Sequence, residues 1–382
     1  MAIQFNSQII NQKPYQITQL QETLKSLEAT GKSIINASIG DPKDDTPEMI
    51  RQANINAIES RPFSQYPSYI GNDALRHSIK TWAKNTHQLE LDERSQIITC
   101  NGSKEAIFSF PLLFDWSNSN CILSSSLAYP VYKMSANYLN IPFIELPINE
   151  SNHFLPNLDA IPKETLNNTQ LFWFNSPHNP TTAIASYDYM AKLVSLAEQY
   201  NFIICSDECY NDLYTDTMPT SILDFDSEHW VCFRSLSKRS HMTGYRSGAI
   251  LSKNKALMAN LKKLRSPMGV GTPSFIQEAA TVAWSDNTHA HLHRDLYNNK
   301  RSLIKNALND VGFQIFGGEA GFYIWSKHPD FKTSEALSEW FLNKGILVTP
   351  GTVFGTDGNP FIRLVFCLKD NTLHEMINRI QD

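Results

Sequence analysis

No run of apolar residues in this chain approaches the roughly 18 that a membrane-spanning helix needs. The N-terminus, MAIQFNSQIINQKPYQ, has no basic region followed by a long apolar one, so no signal peptide is read there. Cysteine is scarce and scattered, at Cys100, Cys121, Cys205, Cys209, Cys232 and Cys367. Cys205 and Cys209 lie four apart, but no second pair follows at zinc spacing, and no metal is expected on that ground. Reduced thiols in a cytoplasmic protein are the expectation. A basic excess is missing too. The net charge is -5, which argues against a general nucleic-acid surface. There is no internal repeat and no low-complexity linker.

What is present is a soluble globular balance, 42% apolar and 19% charged. At 382 residues the chain is long enough for two or three domains. From residue 95 to about 251, short apolar runs recur: QIITC, CILSSS, IPFIEL, QLFWFN, FIICSD, WVCFRSL and YRSGAILS. Most lack strict alternation, which suits strands buried on both faces. Helical patterns such as SKEAIFSFPLLFDW and SYDYMAKLVSLAEQYN separate several of them. Alternation of this kind predicts an α/β layer with a mainly parallel sheet. After about residue 270, helices and the strand-like GFYIWS and PFIRLVF predict a smaller α+β domain. The expected division is an N-terminal segment (1–45) packing with the small domain, a large domain (46–280) and a small C-terminal domain (281–382).

In a parallel α/β sheet, ligands sit beyond the carboxyl ends of the strands. The residues there form a sequence of their own. After QIITC come Asn101, Gly102 and Ser103, where a helix start offers free N–H groups to an anion. After CILSSS comes Tyr129-Pro130, after QLFWF comes Asn179-Pro180-Thr181, and Asp207 follows FIICS with Tyr210 three residues on. After WVCFRSL come Ser237 and Lys238, with Ser235 just before and Arg246 eight residues later. Each has an ordinary reading as a cap, a packing aromatic or a turn. Their joint occurrence matches the needs of one ligand, pyridoxal 5'-phosphate. It requires a lysine amine for its aldehyde, a carboxylate for its pyridinium nitrogen, donors for its 3'-oxygen and an anion site for its phosphate.

These residues carry a resemblance. Ser235-x-x-Lys238 with Arg246, Asn179-Pro180-Thr181, Asp207-x-x-Tyr210 and Arg363 resemble the class I/II aminotransferases of fold type I, nearly end to end from IGDP to FIRLVF. The resemblance implies a large domain with a mainly parallel seven-stranded sheet plus a smaller α+β domain. It implies Lys238 as the Schiff-base lysine and Asp207 as the pyridinium partner. Asn179 and Tyr210 become 3'-oxygen donors, and Tyr129 the stacking ring. Gly102, Ser103, Lys104, Ser235 and Arg246 fall at the phosphate. Arg363 corresponds to the fork for the substrate α-carboxylate, and Gly40 to the segment covering the substrate. Tyr66 corresponds to a phosphate contact from the partner of a homodimer. One departure is Thr182, where the family usually has Gly; a turn that used positive φ is expected to take another geometry.

SLSKRSHMTGYRSG and TPSFIQEAATVAWSD further resemble the N-succinyl-diaminopimelate aminotransferases of lysine biosynthesis, with glutamate as amino donor. That substrate needs a second set of donors besides Arg363, for which Arg76, Arg239 and Arg265 are candidates. Alternatives are an aminotransferase of aromatic or aliphatic specificity and a C–S lyase on the same cofactor. A cofactor-binding regulator would need an added basic N-terminal DNA-binding region, and a cofactor-free α/β protein would leave Lys238, Asp207 and Arg246 as coincidence. His289 and His293 in HAHLHRD sit at i, i+4, a metal-like pair without a third ligand; a surface helix is the expected reading.

Overall fold

The computed structural model describes residues 3–12, 14–29, 31–60, 65–117 and 120–382. The first strand, β1 (Ile35–Asn36), belongs to a smaller unit considered below. The seven apolar runs become β2 (Ile97–Cys100), β3 (Cys121–Ser125), β4 (Phe143–Leu146), β5 (Thr169–Asn175), β6 (Ile203–Asp207), β7 (Trp230–Ser235) and β8 (Gly248–Leu251). They form one sheet in the order β2-β8-β7-β6-β5-β3-β4. All neighbours from β4 to β7 pair parallel, and β8 is antiparallel to both β7 and β2.

The lack of alternation in these runs has a packing cause. Along β5, Leu171 and Trp173 enter the core on one face, and Phe172 and Phe174 the core on the other. Both faces are covered, so apolar residues follow one another without alternation. β4 departs from this expectation. It is the edge strand, and its middle is exposed at Ile144 and Glu145.

Helices cover the sheet as the sequence pattern requires. Tyr187–Tyr200 buries Met190, Leu193, Val194 and Ala197, one face at helical spacing. The Ser186 hydroxyl caps it by accepting from the Tyr189 N–H at 3.2 Å, worth about 1 kcal/mol. Asn201 ends it in the left-handed region at φ 58°. The helix predicted through SKEAIFSFPLLFDW is shorter than the pattern. It runs over Ser103–Ser109 and tightens into a 3-10 turn at Phe110–Leu113, where Pro111 lacks the N–H that would continue it.

The smaller unit has its own sheet and core. β9 (Gln314–Phe316), β10 (Tyr323–Lys327), β12 (Thr349–Pro350) and β13 (Ile362–Val365) form an antiparallel sheet in the order β12-β13-β10-β9. β11 (Ile346–Leu347) pairs parallel with β1, which ties the N-terminal segment to this unit. Further upstream, Gln8 and Gln12 bond Asn140 and Asn137 of the large layer. Helices Thr288–Asp310, Ser334–Asn343 and Asp370–Gln381 pack around a core that includes Ile324, Leu337, Phe341 and Leu364.

Helix Thr288–Asp310 corrects the surface reading of HAHLHRD. His289 is 5% exposed, and its Nε2 lies 2.8 Å from the Ser240 hydroxyl. The His293 ring stacks on His241 at 3.6 Å. The face is buried because it packs on the loop that follows β7. Among the described residues, no group of three His, Cys, Asp or Glu is placed to hold a metal.

Candidate active site

The strand directions decide where the polar residues meet. β2, β3, β5, β6 and β7 all run the same way, so their carboxyl ends share one edge of the sheet. The reversed β8 begins at that edge: Gly248 pairs with both Cys100 and Ser235. Arg246, two residues before Gly248, is thereby set beside Gly102 and the β7 terminus. A cavity of about 280 Å³ opens there. It is lined by Gly40, Ser103, Lys104, Tyr129, Asn179, Asp207, Tyr210, Ser235, Lys238, Arg246 and Arg363. Ser237 joins them, as do residues that the sequence reading did not place at the ligand: Asp41, Asn175, Cys209, Thr243 and Tyr323.

Lys238 follows the Ser235 cap of a single helical turn and donates from Nζ to the Gly40 carbonyl. Burial lowers its pKa, opposed by Cys367 and Asp41; the nearby cation that helps lower it is Arg363. Arg239 plays no part in this. It turns away to Asn287, His289 and Asp212.

Asp207 ends β6 and is 6% exposed. Burial lifts its carboxyl above the usual range, while hydrogen bonds from Cys209 and Tyr132 pull it back. The Tyr132 hydroxyl donates to Oδ2 at 2.7 Å, and its ring is stacked on Trp173 at 4.8 Å. Asn175 links the backbone of Asp207 to the substrate side. Its Nδ2 donates to the Asp207 carbonyl at 2.6 Å, and its Oδ1 accepts from the Asn179 N–H at 2.7 Å. Asn179 Oδ1 in turn accepts from Arg363 at 2.8 Å.

Two arginines in this cavity lack a carboxylate partner among the described residues. Arg363 is 4% exposed and donates to Asn179 Oδ1 and to the Ser38 carbonyl at 2.6 Å. Its guanidinium lies over the rings of Tyr323 (4.4 Å) and Phe354 (4.8 Å). Arg246 donates to the carbonyls of Thr243 (3.0 Å) and Asn101 (3.4 Å). A guanidinium held only by neutral acceptors in a partly dry site favours an incoming anion. Gly102, at φ +76°, leaves the space a Cβ would take from the Arg246 guanidinium.

These features fit pyridoxal 5'-phosphate. Arg246, Ser103, Ser235 and Gly102 can hold its phosphate, Asp207 its ring nitrogen, and Asn179 and Tyr210 its 3'-oxygen. Tyr129 and Cys209 line the space for the ring, and Lys238 can reach its aldehyde.

Other expectations fall outside the cavity. Arg76 is bonded to Asp73 and the Gly71 carbonyl, and Arg265 forms a fork on Glu105 at 2.7 and 3.1 Å. With Arg239 turned toward helix Thr288–Asp310, none of the three candidates for a distal carboxylate lines the cavity. Tyr66 is fully exposed and contributes nothing to the cavity of its own chain. Thr182 also corrects the expectation made for it. It keeps the left-handed geometry, at φ 60°. Its buried hydroxyl accepts from the Gly318 N–H at 2.6 Å, which offsets the strain of a β-branched side chain there.

The sequence model of the family described as aminotransferase class I and II matches residues 32–380. The chain belongs to this family. It is a pyridoxal-phosphate-dependent transaminase of fold type I. Among the relatives it resembles is the LL-diaminopimelate aminotransferase of Aquifex aeolicus. The two are 34% identical, over 97% of this chain and 96% of the relative. The substrate-bound structure of BacF from Bacillus subtilis superposes with a TM-score of 0.92 at 26% identity, covering 100% of this chain and 98% of that one. A probable N-succinyldiaminopimelate aminotransferase from Thermus thermophilus gives a TM-score of 0.87 over 96% of this chain and 99% of that one. At 21% identity it shares the fold alone.

Proposed function

We propose that this aminotransferase exchanges an amino group between glutamate and a 2-oxo acid of the diaminopimelate series, as a cytoplasmic homodimer. The observation that carries the transaminase chemistry to an α-amino acid is Arg363. It is a buried fork without a carboxylate partner among the described residues, facing the same cavity as Lys238 and Asp207. The diaminopimelate skeleton is supported by the relatives named LL-diaminopimelate aminotransferase. The N-succinylated form expected from the sequence has less support. Its named neighbour shares only the fold, and none of the three arginines considered for its distal carboxylate lines the cavity.

Bound in the cavity, the cofactor supplies an aldehyde for the amino group and an electron-accepting ring. The chain's residues do the rest. Arg363 takes the α-carboxylate in a two-point pair and fixes the Cα–H bond in one orientation. Lys238 Nζ, already biased toward its neutral form by burial, takes the proton from Cα. The Asp207 carboxylate holds a proton on the ring nitrogen. Asn179, bonded to Arg363, sets the distance between the carboxylate fork and the 3'-oxygen donors. Tyr66 of one chain is proposed to complete the phosphate site of its partner.

The test is a panel of amino donors and 2-oxo acceptors with the reconstituted enzyme. Glutamate with the oxo acids of LL-diaminopimelate and of its N-succinyl form, aromatic and aliphatic amino acids, and cystathionine make the arms. Diaminopimelate-series turnover at least tenfold above the others supports the reading. Preferred turnover of an aromatic or aliphatic amino acid, or release of thiol from cystathionine, overturns it.

A further inference from the structure

Tyr323 opens β10 in the smaller unit and is 2% exposed, yet it lines the cavity. Three contacts meet on this one side chain. Its hydroxyl is hydrogen-bonded to the Tyr210 hydroxyl, on the segment that follows β6 of the large sheet. The face of its ring carries the Arg363 guanidinium at 4.4 Å, from the adjoining strand β13. Its edge lies against Gly40, where a Cβ would collide with the ring and its hydroxyl. The Gly40 carbonyl is also the acceptor for Lys238 Nζ.

A structural role alone would be met by Phe, since the core contacts of this residue are with its ring. The buried hydroxyl instead faces another tyrosine hydroxyl. A buried hydroxyl pair is polar surface removed from water, and it survives only if it is satisfied. We propose that Tyr323 is a positioning residue with two separable parts: its hydroxyl holds Tyr210 as a donor, and its ring holds the Arg363 fork. It thereby sets the cofactor side and the carboxylate side of the cavity from one strand. The inference rests on the roles proposed above for Tyr210 and Arg363.

The direction of the effect follows from the bond. When Tyr210 donates to the 3'-oxygen, its own oxygen accepts from Tyr323. A donor behind a donor strengthens the outer hydrogen bond. That bond favours the negative 3'-oxygen, and so lowers the pH at which the proton shared with Lys238 Nζ is lost. Other charged or titratable groups facing this pair and Lys238 are Arg363, Cys209, Cys367, Tyr297 and Asp41, all left in place by the variants.

The experiment follows the near-visible absorbance band of the cofactor-loaded enzyme against pH, alongside steady-state kinetics with glutamate. Tyr323→Phe should raise the midpoint of the band by a few tenths of a pH unit (~0.2) and by less than Tyr210→Phe does, because it removes the support behind the outer hydrogen bond and not that bond itself. Its KM should stay within about twofold of wild type, since the ring remains. Tyr323→Leu should show the same midpoint shift and a KM raised about threefold to fivefold, from loss of the ring under the guanidinium. Tyr323→Met serves as the ring-free variant if Leu fails to fold by circular dichroism. Tyr210→Phe is the control, and the Tyr210→Phe/Tyr323→Phe double variant should move the midpoint no further than Tyr210→Phe alone. If Tyr210→Phe leaves the midpoint unmoved, the role of Tyr210 fails. If Tyr210→Phe moves it and Tyr323→Phe does not, or if the ring-free variant keeps the wild-type KM, the inference about Tyr323 is overturned.

Discussion

Arg363→Lys keeps the charge and removes the fork. In the structure the guanidinium has two nitrogens fixed by Asn179 and Ser38 and two ring faces against it. Lysine, a flexible point charge, matches neither the two-point pairing nor the stacking. One of two charge-assisted bonds to the substrate is lost, about 1.5–3 kcal/mol. Loss of the ring contacts adds about 0.5–1 kcal/mol. The sum, about 2–4 kcal/mol, corresponds to a fall in kcat/KM of roughly 30- to 1000-fold. The assay is the single-turnover half-reaction of the loaded enzyme with glutamate, and in parallel with 4-aminobutyrate, which lacks the α-carboxylate. The variant should lose its rate with glutamate and keep the slow wild-type rate with 4-aminobutyrate. A loss below threefold with glutamate, or an equal loss with both amines, would refute the assignment.

Asp207→Asn has opposite effects with and without cofactor. Burial raises the Asp207 carboxyl, so at pH above that raised value the cofactor-free protein carries a charge it would rather expose. The group costs stability as pH rises from the unfolded carboxylate value, about 3.9, through the folded one. Cofactor-free Asp207→Asn should therefore resist denaturant better than cofactor-free wild type at pH 8, and lose that advantage in acid. With cofactor the order should reverse; an unchanged order would mean that Asp207 does not face a cation. Thr182→Ala keeps the strained φ and orphans the buried Gly318 N–H, so the denaturation midpoint should fall by an equivalent of about 1–3 kcal/mol. No shift would show that the hydroxyl does not offset the strain. Mixing Lys238→Ala with Tyr66→Phe chains should give activity above either parent, since one site of the mixed dimer carries neither defect. No gain, in a protein that sediments as a monomer, would reject the shared site.

The sheet and most of the cavity were readable because both depend on local pattern. Apolar runs without alternation mark strands covered on two faces, and polar residues at their ends mark the ligand edge. The reading failed where the answer depended on neighbours. IPFIEL has the composition of a buried strand, but strand order makes it an edge. Tyr132 and Tyr323 look like packing aromatics within apolar stretches; only the fold shows that their hydroxyls face Asp207 and Tyr210. Arg76 is held by the local Asp73 and Gly71, but Arg239 and Arg265 could not be excluded as substrate ligands from sequence, because their partners come from elsewhere in the chain. The His289 face was misjudged for the same reason.

The reversal of β8 bears on how the protein is assembled. Lys238 and Arg246 belong to one hairpin, whose strands pair from Cys232↔Leu251 to Ser235↔Gly248. Closing so short a loop costs little chain entropy, whereas bringing β13 up to Asn179 closes a loop of well over a hundred residues. A chain leaving the ribosome can thus set Lys238 beside Arg246 before β13 brings Arg363 to Asn179. Coenzyme captured at that stage would act as a folding ligand, favouring the half-built sheet by mass action.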